Sequence, residues 1–241
     1  DVVADASPSS TNAARFVIAA AASLPFLPGA PWRRRAGQQD AAATAATAAT
    51  WAAGAELGCW SFLGFALQAI GLQYTTASRS AFLLYLNVKL VPLLALILYG
   101  RQSPLSTWVS ALLALCGTAL LSYDGSPPNL GDAWSVAAAL ASACFILRLE
   151  EAGRDGGNTS PEELNAATLI SSAVLCNIWA AAETSGLLAA DGMHAHRAAS
   201  EVMSELSAQA LPLLYLGIVT TFVAQWLQAL GQSRVKANDA A

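Results

Sequence analysis

Charge is what this sequence most lacks. Only 12% of its 241 residues are Asp, Glu, Lys or Arg, against 55% that are apolar, whereas a soluble domain carries about 25% charged and about 45–50% apolar residues. No soluble core encloses that much apolar surface, so the composition excludes an ordinary water-soluble globule. A net charge of −4 offers no basic face for a nucleic acid, and none is expected as a partner. Histidine is missing from every apolar stretch, since His194 and His196 share one polar loop. Cys59, Cys116, Cys144 and Cys176 lie inside apolar stretches without a C-x-x-C pair, so they are packing residues and neither metal nor cofactor is expected. There is no nucleophile elbow, no P-loop and no His–carboxylate pairing, which argues against an enzyme. An initiator methionine and a secretory signal are also missing at Asp1, so the natural N-terminus is expected upstream.

What is present is apolar sequence in long runs. Stretches of about 16 to 23 residues nearly free of charge fall at 13–28, 51–72, 77–99, 107–123, 133–149, 166–182 and 211–231. A helix needs about 20 residues to cross a hydrocarbon core of roughly 30 Å. The expected fold is therefore an all-α, multi-pass integral membrane bundle of about seven helices in a lipid bilayer, the first being the one most open to a re-entrant reading. If these spans alternate direction, Arg33, Arg34, Arg35, Arg101, Arg148, Arg154, Arg234 and Lys236 share one side, and Arg15, Arg79 and Arg197 the other. That bias assigns the basic side to the cytosol or its equivalent. The sequon at Asn158 falls on the basic side and is expected to stay unmodified. The low-complexity 41–50 tract extends the second span as helix through alanine's propensity, and 198–208 suits a short surface helix.

The chain also repeats itself. Leu67-Gln68-Ala69-Ile70-Gly71 recurs as Leu227-Gln228-Ala229-Leu230-Gly231, with Phe62 meeting Phe222, Ala77 meeting Ala237 and Ala81 meeting Ala241 at the same offset. Asn12-Ala13-Ala14 is echoed by Asn165-Ala166-Ala167. Both echoes pair spans five apart, an odd number, so the paired helices run in opposite directions. Inverted repeats place a binding site between two half-bundles that expose it alternately to each side.

At Leu57-Gly58, Phe62, residues 67–75, Ala77-Ser78-Arg79, Ala81-Phe82, Val91-Pro92 and Gly117-Thr118-Ala119-Leu120-Leu121, the chain resembles the EamA-type family of the drug/metabolite transporter superfamily. The resemblance implies two repeats of five helices, here 1–126 lacking its first helix and 127–241 lacking its last two. It implies a secondary carrier. A partial bundle leaves helix faces bare, so further helices, a homodimer or other membrane subunits are expected to cover them.

Candidate binding residues follow from polarity inside the spans. Lys89 stands near the middle of its span, where a charge costs about 2.5–3.5 kcal/mol on insertion scales. With Ser78, Phe82 and Tyr85 it forms one face of a continuous helix, suited to an anionic or carbonyl-bearing solute, or equally to a structural lysine bonded to backbone carbonyls or a lipid head group. Trp60, Gly64, Gln68 and Gly71 share a second face, and Gly217, Thr221, Gln225, Gln228 and Gly231 a third. Gln68 and Gln228 act as interhelical glue or line a cavity. Trp60 and Trp226 stack on a ligand or anchor at an interface, the role expected of Trp32, Trp51 and Trp108.

Two functions fit this sequence. One is a carrier of a small organic solute working by alternating access. The other is a structural or assembly subunit of a larger membrane complex, a photosynthetic one among the options, that keeps a transporter fold. The alanine-rich composition is compatible with a plastid envelope or thylakoid membrane.

Overall fold

The computed structural model describes residues 7–30, 41–100, 105–122, 127–154, 160–185, 204 and 206–235. Among these residues all the regular structure is helical. Arg33 to Arg35, Arg101, Arg197, Lys236, both histidines, the Asn158 sequon, Trp32, and the repeat positions Ala237 and Ala241 lie outside them. The helices are α1 (Pro8–Ser23), followed by a 3₁₀ turn (Leu24–Phe26), α2 (Ala41–Gly71), α3 (Ala77–Leu84), α4 (Asn87–Tyr99), α5 (Leu105–Ser122), α6 (Leu130–Arg154), α7 (Pro161–Thr184), α8 (Ala210–Leu214), a π-helical segment (Tyr215–Val223) and α9 (Ala224–Val235). Of the helix expected over 198–208, Ser204 and residues 206–208 are helical.

Four of these runs are long and apolar enough to cross a membrane: Ala77–Tyr99, Leu130–Gly153, Pro161–Thr184 and Ala210–Gln232. Seven apolar stretches were expected to be spans, and the other three are helical but differ in physical ways. At 16 residues α1 is just under the about 17–25 of a full crossing, whereas α5, 18 residues without a charge, is within that range. The 31 residues of α2 are ample, but Glu56, Gln68 and its glycines and serines dilute its apolar character. It does begin at Ala41, so the alanine–threonine tract is helix.

The chain divides into two compact units, Asp1–Phe62 with Leu149–Ala241, and Leu63–Arg148. In the first, α1 packs on α7 and on the π-helical segment. Both α1 and α7 begin with Ser-Pro: Ser7 and Ser160 are the N-caps, each accepting a backbone N–H three residues on at 3.3 Å, and each is followed by proline at the first turn. Serine satisfies an orphan donor there, and proline has no N–H to leave unpaired. Asn12 and Asn165, one turn further in, are both buried. The Asn-Ala-Ala echo thus extends outward to identical caps. Small residues bring α2 against α7. A methyl on Gly58 would lie 2.5 Å from Ser171 Cβ, one on Gly54 would overlap Ala167, and Ser172 Oγ donates to the Gly58 carbonyl at 3.3 Å. This is the close approach that a Gly-x-x-x-Gly face permits in lipid.

In the second unit, Gly71 on α2 meets Gly131 on α6, and α5 packs on α3 and α4. The 77–99 run is not one uniform helix. A turn at Tyr85–Leu86 divides it into α3 and α4, with Pro92 inside α4 and Gly100 in the left-handed conformation ending it, as a glycine stop requires.

Candidate functional site

In the first unit the polar residues gather around the π-helical segment. A π turn is rare and leaves one extra residue per turn, and here α1 grips it at two levels. Gly217 packs against Ile18 and the Arg15 carbonyl. Arg15 Nε and Nη2 donate to Thr221 Oγ1 at 3.2 and 3.1 Å, and Thr221 in turn donates to the Leu216 carbonyl at 2.7 Å. The guanidinium also lies 5.4 Å from the centroid of the Phe16 ring.

One helical turn beyond Thr221 comes Gln225. It is 8% exposed, and its Nε2 donates to Ser61 Oγ on α2 at 3.4 Å. Its Oε1 is buried with no hydrogen-bond partner among the described residues, as is Nε1 of Trp226 beside it. Unpaired polar atoms in a bundle interior are costly, and where they persist they call for a partner such as water, an ion or a ligand. Nearby, Phe62 and Trp179 meet edge to face at 6.1 Å. On the surface of α1 and α7 an apolar groove of about 490 Å³ runs along Ala20, Ala173, Val174 and Ala181.

The expected binding residues fall into both units. Trp60, Gln225 and Gln228 belong to the first; Gln68, Tyr85 and Lys89 belong to the second. Trp60, Gln68, Gln228 and Lys89 are half-buried. Tyr85 is 67% exposed and sits at the turn between α3 and α4, so the Ser78–Phe82–Tyr85–Lys89 face is not carried by one unbroken helix.

The second unit holds a polar cluster in which Asp132 plays a part not foreseen from the sequence. Arg79 Nη2 pairs with Asp132 Oδ2 at 2.8 Å, with side chains 13% and 12% exposed. Thr75 Oγ1 donates to Asp132 Oδ1 at 3.1 Å. The Asn129 and Asp132 side chains each accept the other's backbone N–H, at 3.0 and 2.9 Å, a reciprocal cap at the start of α6. The Asn-x-x-Asp spacing was the available signal.

Helices apolar enough to span a bilayer, with buried polar side chains among them, describe a membrane bundle. The profile of the EamA-like transporter family matches residues 2–123. The chain belongs to the EamA-like transporter family. It is similar to an uncharacterized transporter of Archaeoglobus fulgidus, 32% identical over 127 residues, an alignment covering 52% of this chain and 34% of that protein. The chain thus spans about a third of that relative's length. Like other EamA-like proteins it is an integral membrane protein, and the family is one of transporters.

Proposed function

We propose that this chain forms part of a secondary carrier that moves a small organic metabolite by alternating access between two inverted repeats, 1–126 and 127–241. The observation that carries this reading is Gln225, an amide nine-tenths buried among apolar helices with its carbonyl oxygen unpaired. An amide left so is explained when a passing solute supplies the hydrogen bond. Family membership, the twin Leu-Gln-Ala segments and the twin Ser-Pro starts of α1 and α7 support the repeat. Trp60 and Gln228 in the same unit, and separately Gln68, Tyr85 and Lys89 in the other, are the remaining candidates for solute contact.

The test is counterflow in proteoliposomes preloaded with mixed unlabelled amino acids, organic acids or sugars, with labelled members of each class outside. Gln225→Leu should lower the rate at least tenfold while the thermal midpoint in detergent stays the same or rises, because leucine removes an unpaired buried atom. Wild-type rates in the variant would remove Gln225 from the path. Lys89→Met should abolish any preference for anionic over neutral solutes. An unchanged preference would make Lys89 structural.

The second reading, an assembly subunit in a larger membrane complex, is supported by α5, where Leu105 and Leu120 are 78% and 80% exposed. A homodimer or another subunit on that face would appear as a species larger than the monomer in native electrophoresis from mild detergent. A fluorescent fusion tests the plastid membrane as the location.

A further inference from the structure

Three contacts converge where α2 ends and α6 begins. Gly71 and Gly131 bring the two backbones so close that a methyl on Gly131 would sit 2.7 Å from the Gly71 carbonyl oxygen. Asp132 accepts from Arg79, from Thr75 and from its own capping partner Asn129. Deeper still, the Ser80 and Ser135 hydroxyls lie 2.9 Å apart, both fully buried. Ser135 donates to the Gly131 carbonyl at 2.9 Å, so Ser80 is the donor between them. A capping carboxylate needs only Asn129. The Arg79 and Thr75 bonds are additional, and they fasten α6 to α3 and to the turn that precedes it.

At its other end α6 meets α4 differently. Arg148 Nη1 donates to Tyr99 Oη at 3.3 Å, a contact between two long side chains that can follow each other through several ångströms. The glycine corner has no such slack, because backbone touches backbone and a mostly buried ion pair is costly to separate. From this difference we infer that the Gly71–Gly131 corner, pinned by Arg79 and Asp132, is the fixed pivot of the transport cycle. The Arg148 end of α6 swings relative to α4. The inference rests on the carrier reading. With a rise of 1.5 Å per residue the two ends are about 25 Å apart, so a tilt of about 10° displaces the far end by roughly 4 Å.

Pulsed electron–electron resonance on the full chain in lipid nanodiscs tests this without a known solute. In a background with Cys59, Cys116, Cys144 and Cys176 replaced, one pair of spin labels goes on Tyr74 and Ala133 at the corner, and a second on Leu98 and Ile146 at the far end. The corner should give one narrow distance. The far end should give two populations separated by roughly 4 Å. Asp132→Asn should split the corner distance, whereas Arg79→Lys should keep it single. Two populations at the wild-type corner would make it a gate and overturn the pivot while leaving the carrier reading standing. A single distance at both ends would overturn the swing of α6 and leave the carrier reading to the counterflow assay. An unsplit corner in Asp132→Asn would strip the ion pair of its role.

Discussion

Asp132→Ala is expected to cost the folded protein about 3 kcal/mol, toward the lower end of what removing one partner of a buried pair costs. The loss has three parts. Arg79 keeps its charge with its 2.8 Å partner gone, Thr75 loses an acceptor, and the Asn129 N–H at the start of α6 loses its cap. Capping alone is worth about 1 kcal/mol, so the larger share belongs to the ion pair. Arg79→Ala with Asp132→Ala should therefore cost less than the sum of the two single changes, because the double variant strands no charge. Denaturation in mixed micelles, followed by tryptophan fluorescence, measures all four proteins. A single-variant loss below about 0.5 kcal/mol would place this pair with surface ion pairs of little consequence.

Gly58→Leu should be as damaging through a different mechanism. Its first added carbon would lie 2.5 Å from Ser171 Cβ and 3.1 Å from the Thr168 carbonyl oxygen, and these neighbours sit on the rigid body of α7. Overpacking of a tight seam typically costs about 1–3 kcal/mol. Here α2 must also back away from Ser172, whose hydroxyl reaches the Gly58 carbonyl, and that bond is lost as well. Gly58→Ala should fall between leucine and wild type, and size-exclusion recovery from detergent should rank the three in that order. Equal recovery would mean that α2 and α7 tolerate separation.

The helices were legible because lipid imposes a simple demand: a stretch that must satisfy its own backbone bonds and face hydrocarbon reads as a run of apolar residues. The 51–72 and 133–149 runs became helices with the extra turns that alanine-rich or capped flanks supply, such as Ala41 onward. Two features were hidden for a physical reason. Nothing in Tyr215–Val223 marks a π turn, since its residues are as apolar as any helix, and its register is held by Arg15 and Ile18 from far along the chain. The turn at Tyr85–Leu86 is likewise silent, coming before Pro92 with no glycine to announce it.

The polar groups were legible in part. Gln225 stood out as an amide in an apolar run, but its burial and its bond to Ser61 depend on α2, which no local pattern reports. Asp132 is silent in the sequence because an acidic residue at a span's edge looks like an ordinary boundary. Its weight comes from Arg79, more than fifty positions away. Periodicity finds faces, whereas partners across a fold are set by packing.

The glycine contacts of α2 bear on how the protein is made. Gly131 leaves the ribosome about 60 residues after Gly71, and Ser171 more than 110 after Gly58. At about 5–20 residues per second, that leaves α2 waiting roughly 3 to 23 s before its mates exist. During that interval its notched faces meet only lipid, the translocation channel or a chaperone. Slowing elongation between α2 and α7 should lengthen this vulnerable window, so the yield of intact protein becomes a question of translation speed as much as of final stability.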